Sequence, residues 1–241
     1  MIVSFKHNFI FIRTKKTAST AVELGLSPIC GPDDIISPIG AGQELLRAQS
    51  GVTPRNFNKD PSIERDLAAA IHTGKRREIR QVSARNRQTN GCTGHMKAGE
   101  VKRWVPEEFW NSACKFTTER HPYEKALSLA YFRYKGDEFM KRVSFEDFLD
   151  LTVREDFKIY RGFGFYSIDG KSVMDRFLLQ DTLSRDVADL QKELDLPPFE
   201  LPRARAKRTD RRPAREVLTD SQKEFIYRQC KAEFDLFGWE K

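Results

Sequence analysis

The stretch that most constrains this chain runs from residue 9 to residue 23. Four apolar residues, Phe9, Ile10, Phe11 and Ile12, lead into Arg13, Thr14, Lys15, Lys16, Thr17, Ala18, Ser19 and Thr20, and residues 20–26 then continue with helical spacing. A short apolar run, a turn of small hydroxyl residues and an apolar-periodic segment read as buried strand, tight turn and helix start. Such a turn directs backbone N–H groups, hydroxyls and a lysine ammonium toward one region. The electropositive helix start makes that region a place for phosphate or sulfate. The segment has no Gly-x-x-x-x-Gly-Lys, and no glycine occurs between Phe9 and Leu24. An ordinary nucleoside-triphosphatase loop is therefore disfavoured.

A second junction of the same kind lies about a hundred residues on. Residues 113–119 read as a strand, and Arg120-His121-Pro122-Tyr123 opens a helical pattern in which Ala126, Leu127, Ala130 and Tyr131 share a face. Pro122 suits a helix start. Arg120 leaves the strand end, where its fork can take a phosphate bidentately, and Ser128 follows eight residues later within reach of the same group. Taken singly, each residue has a bland alternative: an arginine at a strand end, a small serine at a helix contact. Between the two junctions, Cys92-Thr93-Gly94-His95-Met96 places a histidine on a loop before a short helix.

The 241 residues fit one α/β domain, with strands alternating with helices around a central, mostly parallel sheet in three layers. Ligands of open α/β sheets lie at the carboxyl ends of the strands, where both junctions fall. The net charge of +7 favours an anionic partner. Two stretches concentrate it. Residues 75–87 read either as a solvated surface segment or as a basic wall that attracts an acidic acceptor. Residues 201–215 include Arg203, Arg205, Lys207, Arg208, Arg211, Arg212 and Arg215 but no interleaved aromatics for base stacking. Tyr160, Phe163, Phe165 and Tyr166 either pack or line an acceptor groove.

The remaining segments read as follows: short helices at 41–49, 62–71 and 106–111; a helix from 145 to 151 behind a Ser144 capping box; a strand at 173–180; a helix at 186–194; and one closing helix over 219–237. The four cysteines are scattered, with no C-x-x-C pair and no histidine cluster, so reduced thiols are expected and no metal site is. No apolar stretch is long enough to span a bilayer. The expectation is a cytoplasmic protein, with a Golgi-type catalytic domain lacking its anchor as the alternative.

Lys16-Thr17-Ala18-Ser19-Thr20 resembles the 5′-phosphosulfate loop of sulfotransferases that use 3′-phosphoadenosine 5′-phosphosulfate (PAPS), in their carbohydrate-modifying branch. Heparan sulfate 2-O-sulfotransferases carry a very similar Lys-Thr-Ala-Ser-Thr, and Lys15 stands where proline is common. Arg120 and Ser128 match the separation of the family's 3′-phosphate site, and His95 matches the position of a general base in the 2-O branch. That branch's other histidine corresponds to Thr93, and a family Tyr-Glu-x-Leu corresponds to Gln180-Asp181-Thr182-Leu183, so both patterns are incomplete. The resemblance covers residues 9–23, 94–101 and 115–132.

What the resemblance implies is a P-loop-like sulfotransferase fold over residues 1–241 and sulfuryl transfer from PAPS to an acceptor hydroxyl, a carbohydrate or acidic glycan among the candidates, releasing PAP (3′-phosphoadenosine 5′-phosphate). Lys16 and His95 would be catalytic. Lys15, Lys16, Thr17, Ala18, Ser19 and Thr20 would hold the 5′-phosphosulfate, and Arg120, Ser128 and the late basic residues Arg208 and Arg211 the 3′-phosphate. Glu100 and Glu119 are the alternative bases. Three other readings stay open: a P-loop-like nucleotide kinase or nucleotide-binding protein, a basic nucleic-acid-binding module, and a family member that binds PAP without catalysis.

Overall fold

A computed structural model describes residues 1–136, 142–157, 161–202 and 212–241. Strands β1 (Ile2–Ser4) and β2 (Phe9–Ile12) form an antiparallel hairpin with Val3 opposite Ile10. Helix α1 (Ser19–Leu26) follows, then β3 (Ile35–Ile36), α2 (Ala41–Ala48), α3 (Pro61–His72), α4 (Arg76–Gln88), α5 (Ala98–Lys102) and α6 (Glu107–Ser112). Strand β4 (Cys114–Glu119) feeds α7 (Pro122–Gly136), and α8 (Phe145–Leu151) comes next. The short α9 (Phe163–Tyr166) precedes a hairpin of β5 (Ser167–Ile168) and β6 (Lys171–Ser172). Strand β7 (Arg176–Leu179), α10 (Leu183–Glu193), α11 (Ala214–Val217), α12 (Asp220–Gln229) and α13 (Lys231–Phe237) complete the described chain.

The main sheet has the order β3-β1-β2-β4-β7. Pairs β2/β4 and β4/β7 are parallel, whereas β1/β2 and β1/β3 are antiparallel. The sheet is therefore mixed, which corrects the expected mostly parallel arrangement. The cause lies in two strands too short to announce themselves: Ile2–Ser4 folds back on β2 through a tight turn, and Ile35–Ile36 adds an edge.

Strand β2 explains why its four residues are all apolar. Alternate side chains point to opposite faces, and helices cover both. Phe9 and Phe11 pack with Val22 and Leu26 of α1 and with Val187 and Leu190 of α10. Ile10 and Ile12 pack with Leu67 and Ile71 of α3, Ile79 of α4 and Trp110 of α6. A further cluster joins α7, α8, α12 and α13 through Leu127, Leu149, Ile226 and Phe234.

The basic stretch at 75–87 is helical rather than irregular: Ile79 and Asn86 of α4 are buried and its arginines are exposed. The expected closing helix is two helices, broken at Cys230, and ends on left-handed Gly238 at φ 62°. Tyr166 is fully buried, so it packs. Tyr160, Arg203, Arg205, Lys207, Arg208 and Arg211 lie outside the described residues. All four cysteines are unpaired thiols. Among the described residues no helix is long and apolar enough to cross a membrane.

Candidate active site

The two strand-to-helix junctions stand side by side, because β2 and β4 are adjacent and parallel with Ile12 opposite Thr117. Three buried hydroxyls join them. Thr14 donates to the Thr118 carbonyl at 2.5 Å, so it must accept from Thr17 at 2.8 Å. Thr17 in turn accepts from the Thr118 hydroxyl at 2.7 Å. Each hydroxyl has one proton, and this assignment places all three on the shortest contacts, the Thr14 and Thr118 hydroxyls standing farther apart at 3.3 Å.

The loop between them turns without glycine. Lys16 and Ala18 both adopt left-handed backbone, at φ 65° and φ 66°. For a residue with a Cβ this costs about 1–3 kcal/mol each, and such strain persists only where surrounding contacts enforce it. Those contacts are the hydroxyl ring, the Ser19 hydroxyl donating to the Thr14 carbonyl at 2.6 Å, and Arg13 Nη2 donating to Thr20 Oγ1 at 2.6 Å. The hydroxyls of Thr17 and Ser19 are thus engaged within the fold. What a left-handed backbone of this kind can offer an anion is its N–H groups. Ala18, the residue before α1, makes no side-chain cap. Of the first-turn N–H groups of α1, that of Ala21 donates to the Ala18 carbonyl at 2.9 Å, and those of Ser19 and Thr20 have no partner within their own helix.

Lys16 lies close to the second junction. Its Nζ sits 4.1 Å from the ring centre of Phe132, which is 65% exposed. Phe132 is one turn beyond Ser128 on α7, and residues four apart share a helix face. The stripe formed by Glu124, Ser128 and Phe132 therefore faces the loop. Arg120, at the strand end, pairs with Glu124 at 3.2 Å, and the other oxygen of Glu124 accepts from the Ala214 N–H at 2.7 Å. Ser128 is half-buried.

His95 joins the same edge from the loop before α5. Its Nδ1 lies 3.1 Å from the Arg13 carbonyl oxygen, and its ring meets Phe165 edge-on at 6.2 Å. Lys15 Nζ stands 5.5 Å from the same Phe165 ring, and burial lowers its pKa. Burial, with Arg13 nearby, pushes the His95 imidazole down to about 3, so it is neutral across the physiological range. His95 lines two cavities. One, of about 850 Å³, also has Lys59, Arg87, Arg103, Glu100 and Trp104 on its walls. The other, of about 280 Å³, is bordered by Arg13, Ile39, Ser83 and Arg87. Thr93, which stands where a second histidine was sought, lines both. Of the alternative bases, Glu119 is fully buried and paired with Lys125, while Glu100 borders the larger cavity and accepts from the Lys97 N–H at 2.6 Å.

Sequence reasoning missed the ionic hub beneath the loop. Glu23 is fully buried and meets Arg47 at 2.8 Å, the Met1 amino group at 3.1 Å and Arg13 at 3.4 Å. Burial alone would raise its pKa, but these cations hold it down at about 2. A signal was present: Glu23 falls among Ser19, Val22 and Leu26 on the buried face of α1, where a charge needs partners. Thr118 gave no signal, since a threonine in a strand is ordinary. Among the described residues no group of three or more His, Cys, Asp or Glu could hold a metal ion. In comparisons with protein-family models, curated proteins and solved structures, nothing matches this chain.

Proposed function

We propose that this protein is a sulfotransferase that moves a sulfuryl group from PAPS to an acceptor hydroxyl. The observation that carries the reading is Lys16 Nζ over Phe132, which brings the loop lysine to the helix face bearing Ser128, beside Arg120. In a PAPS enzyme the two phosphates must be held at two points, with a base beside the sulfur. The loop backbone from Thr17 to Thr20 would hold the 5′-phosphosulfate by N–H groups rather than by the Thr17 and Ser19 hydroxyls. Arg120 and Ser128 would hold the 3′-phosphate.

The reaction forms an acceptor oxygen–sulfur bond and breaks the bond from sulfur to the bridging oxygen. His95 Nε2 takes the acceptor proton. Lys16 offsets the charge that develops on the leaving 5′-phosphate oxygen. Lys59, Arg87 and Arg103 give the larger cavity beside His95 a positive wall, which suits an acidic acceptor such as an acidic glycan.

Calorimetric titration with PAP, adenosine 5′-phosphosulfate and ATP tests this. Binding of PAP that weakens without the 3′-phosphate supports the reading, whereas no PAP binding by folded protein, or equal affinity for ATP, overturns it. His95→Ala should leave PAP binding intact and lower transfer by about 10²–10⁴. In the wild type, kcat/KM should stay level from pH 8 down through 6.5, because the free base is protonated only near 3. An acid limb at 6.5 would contradict the assignment. The same depression makes stability full above pH 6.5 and lost progressively below it, since the unfolded chain takes up a proton that the native site refuses.

A further inference from the structure

One residue, Arg13, meets both the candidate base and the donor loop through hydrogen bonds. Its carbonyl oxygen meets His95 Nδ1 at 3.1 Å. A carbonyl can only accept, so Nδ1 carries the proton, and in a neutral imidazole the lone pair then belongs to Nε2. The side chain of the same residue is buried and its fork is spent on the loop and helix α1. Nε donates to Ser19 Oγ at 3.3 Å, Nη2 to Thr20 Oγ1 at 2.6 Å, and Nη1 pairs with Glu23 at 3.4 Å.

The residue before His95 is shaped to this contact. A Cβ on Gly94 would stand 3.0 Å from Arg13 Nη1 and 3.2 Å from the Pro38 carbonyl oxygen, closer than a side chain ordinarily sits. Glycine there lets the histidine loop close on the guanidinium. The amino group of Met1 also donates to the Gly94 carbonyl, at 3.3 Å, so the loop is held from two sides.

We propose that Arg13 is a positioning residue that selects the Nδ1–H tautomer of His95 and holds the base in register with the Lys16 loop. The inference rests on the transferase reading above. Its consequence is that acceptor activation and donor binding share one rigid link: Ser19 and Thr20 of the loop hold the guanidinium, and the main chain of the same residue holds the imidazole.

The test is ¹⁵N NMR of the histidine imidazoles in the full chain, for wild type, Arg13→Met, Arg13→Lys and Gly94→Ala, with PAP titrated into each sample. Wild-type His95 should be in the Nδ1–H form. Both Arg13 variants keep the carbonyl but release the main chain that bears it from Ser19, Thr20 and Glu23. The tautomer ratio should therefore shift toward Nε2–H, by at most roughly fivefold, the worth of one net hydrogen bond lost outright. A residue that only supported the fold would leave this ratio alone once the variant is folded. Should Arg13→Met not fold, Gly94→Ala displaces the guanidinium without removing it and should shift the ratio the same way. A wild-type Nε2–H tautomer, or an unchanged ratio in the folded variants that bind PAP, overturns the link alone. Absence of PAP binding in the wild type instead overturns the transferase reading, and with it the catalytic sense of the link.

Discussion

The two strand-to-helix junctions at the centre of this molecule are neighbours built on opposite plans. At the end of β2 the side chains serve the fold: Thr14, Thr17 and Ser19 bond inward, Arg13 ties down Thr20, and Lys16 and Ala18 accept left-handed backbone. The groups there that could meet a ligand are main-chain N–H groups and the ammonium groups of Lys15 and Lys16. At the end of β4 the backbone is an ordinary strand and helix, and the candidate binding groups are side chains, Arg120 and Ser128, the first already paired with Glu124. A backbone site is fixed in geometry and cannot be masked. A side-chain site can be covered by a neighbouring acid until a stronger anion displaces it. The first plan suits the end of a donor where bonds break, and the second suits the end that is only recognised.

That contrast predicts different kinetic signatures. Lys16→Ala should lower turnover by more than tenfold, on the order of 10² for a lost charge-stabilising donor, while PAP affinity changes much less. Unchanged turnover would remove Lys16 from the mechanism. Arg120→Ala should act the other way, weakening PAP by about tenfold or more, the worth of a hydrogen bond to a charged group, and leaving adenosine 5′-phosphosulfate almost unaffected. Equal losses for the two nucleotides would mean that Arg120 does not read the 3′-phosphate, and the two junctions would no longer differ in role.

A third substitution tests whether the first junction is held by its hydroxyls. Thr118→Val removes one member of the ring and leaves the buried Thr17 oxygen without its donor, while the Thr118 carbonyl that accepts from Thr14 stays in place. The cost should be about 1–3 kcal/mol of stability, read as a lower denaturation midpoint with unchanged slope. A midpoint equal to the wild type would show that the left-handed turn stands without that ring.

Strand β2, the turn after it and both junctions were legible in the sequence because each carries a local signature: four apolar residues in a row, a run of small hydroxyls, a proline at a helix start. The antiparallel half of the sheet was not, since a three-residue and a two-residue strand have too few side chains to show alternation. Residues were harder to place than elements. Lys16, Arg120, Ser128 and His95 do gather at one edge, but the inward turn of the Thr17 hydroxyl depends on Thr118, about a hundred residues away, and no local pattern reports such a contact. Glu23 shows the reverse: its place on an apolar face gave warning of a buried ion cluster, whereas the identity of its partners, Arg47 above all, came from tertiary packing.

The smallest effect is the most discriminating. Glu124 accepts from Arg120 with one oxygen and from the Ala214 N–H with the other. Glu124→Gln can keep the bond to Ala214 through its amide oxygen but loses the charge that draws Arg120 aside. The pair is partly exposed, so screening keeps its worth to about 1 kcal/mol or less. Freed of that competition, Arg120 should bind PAP a few-fold more tightly, and the gain should vanish for adenosine 5′-phosphosulfate and in the Arg120→Ala background. A loss of PAP affinity instead would mean that Glu124 orients Arg120 for the phosphate rather than masking it. The side-chain junction would then be as preorganised as the backbone one, and the contrast between the two would reduce to which atoms do the binding.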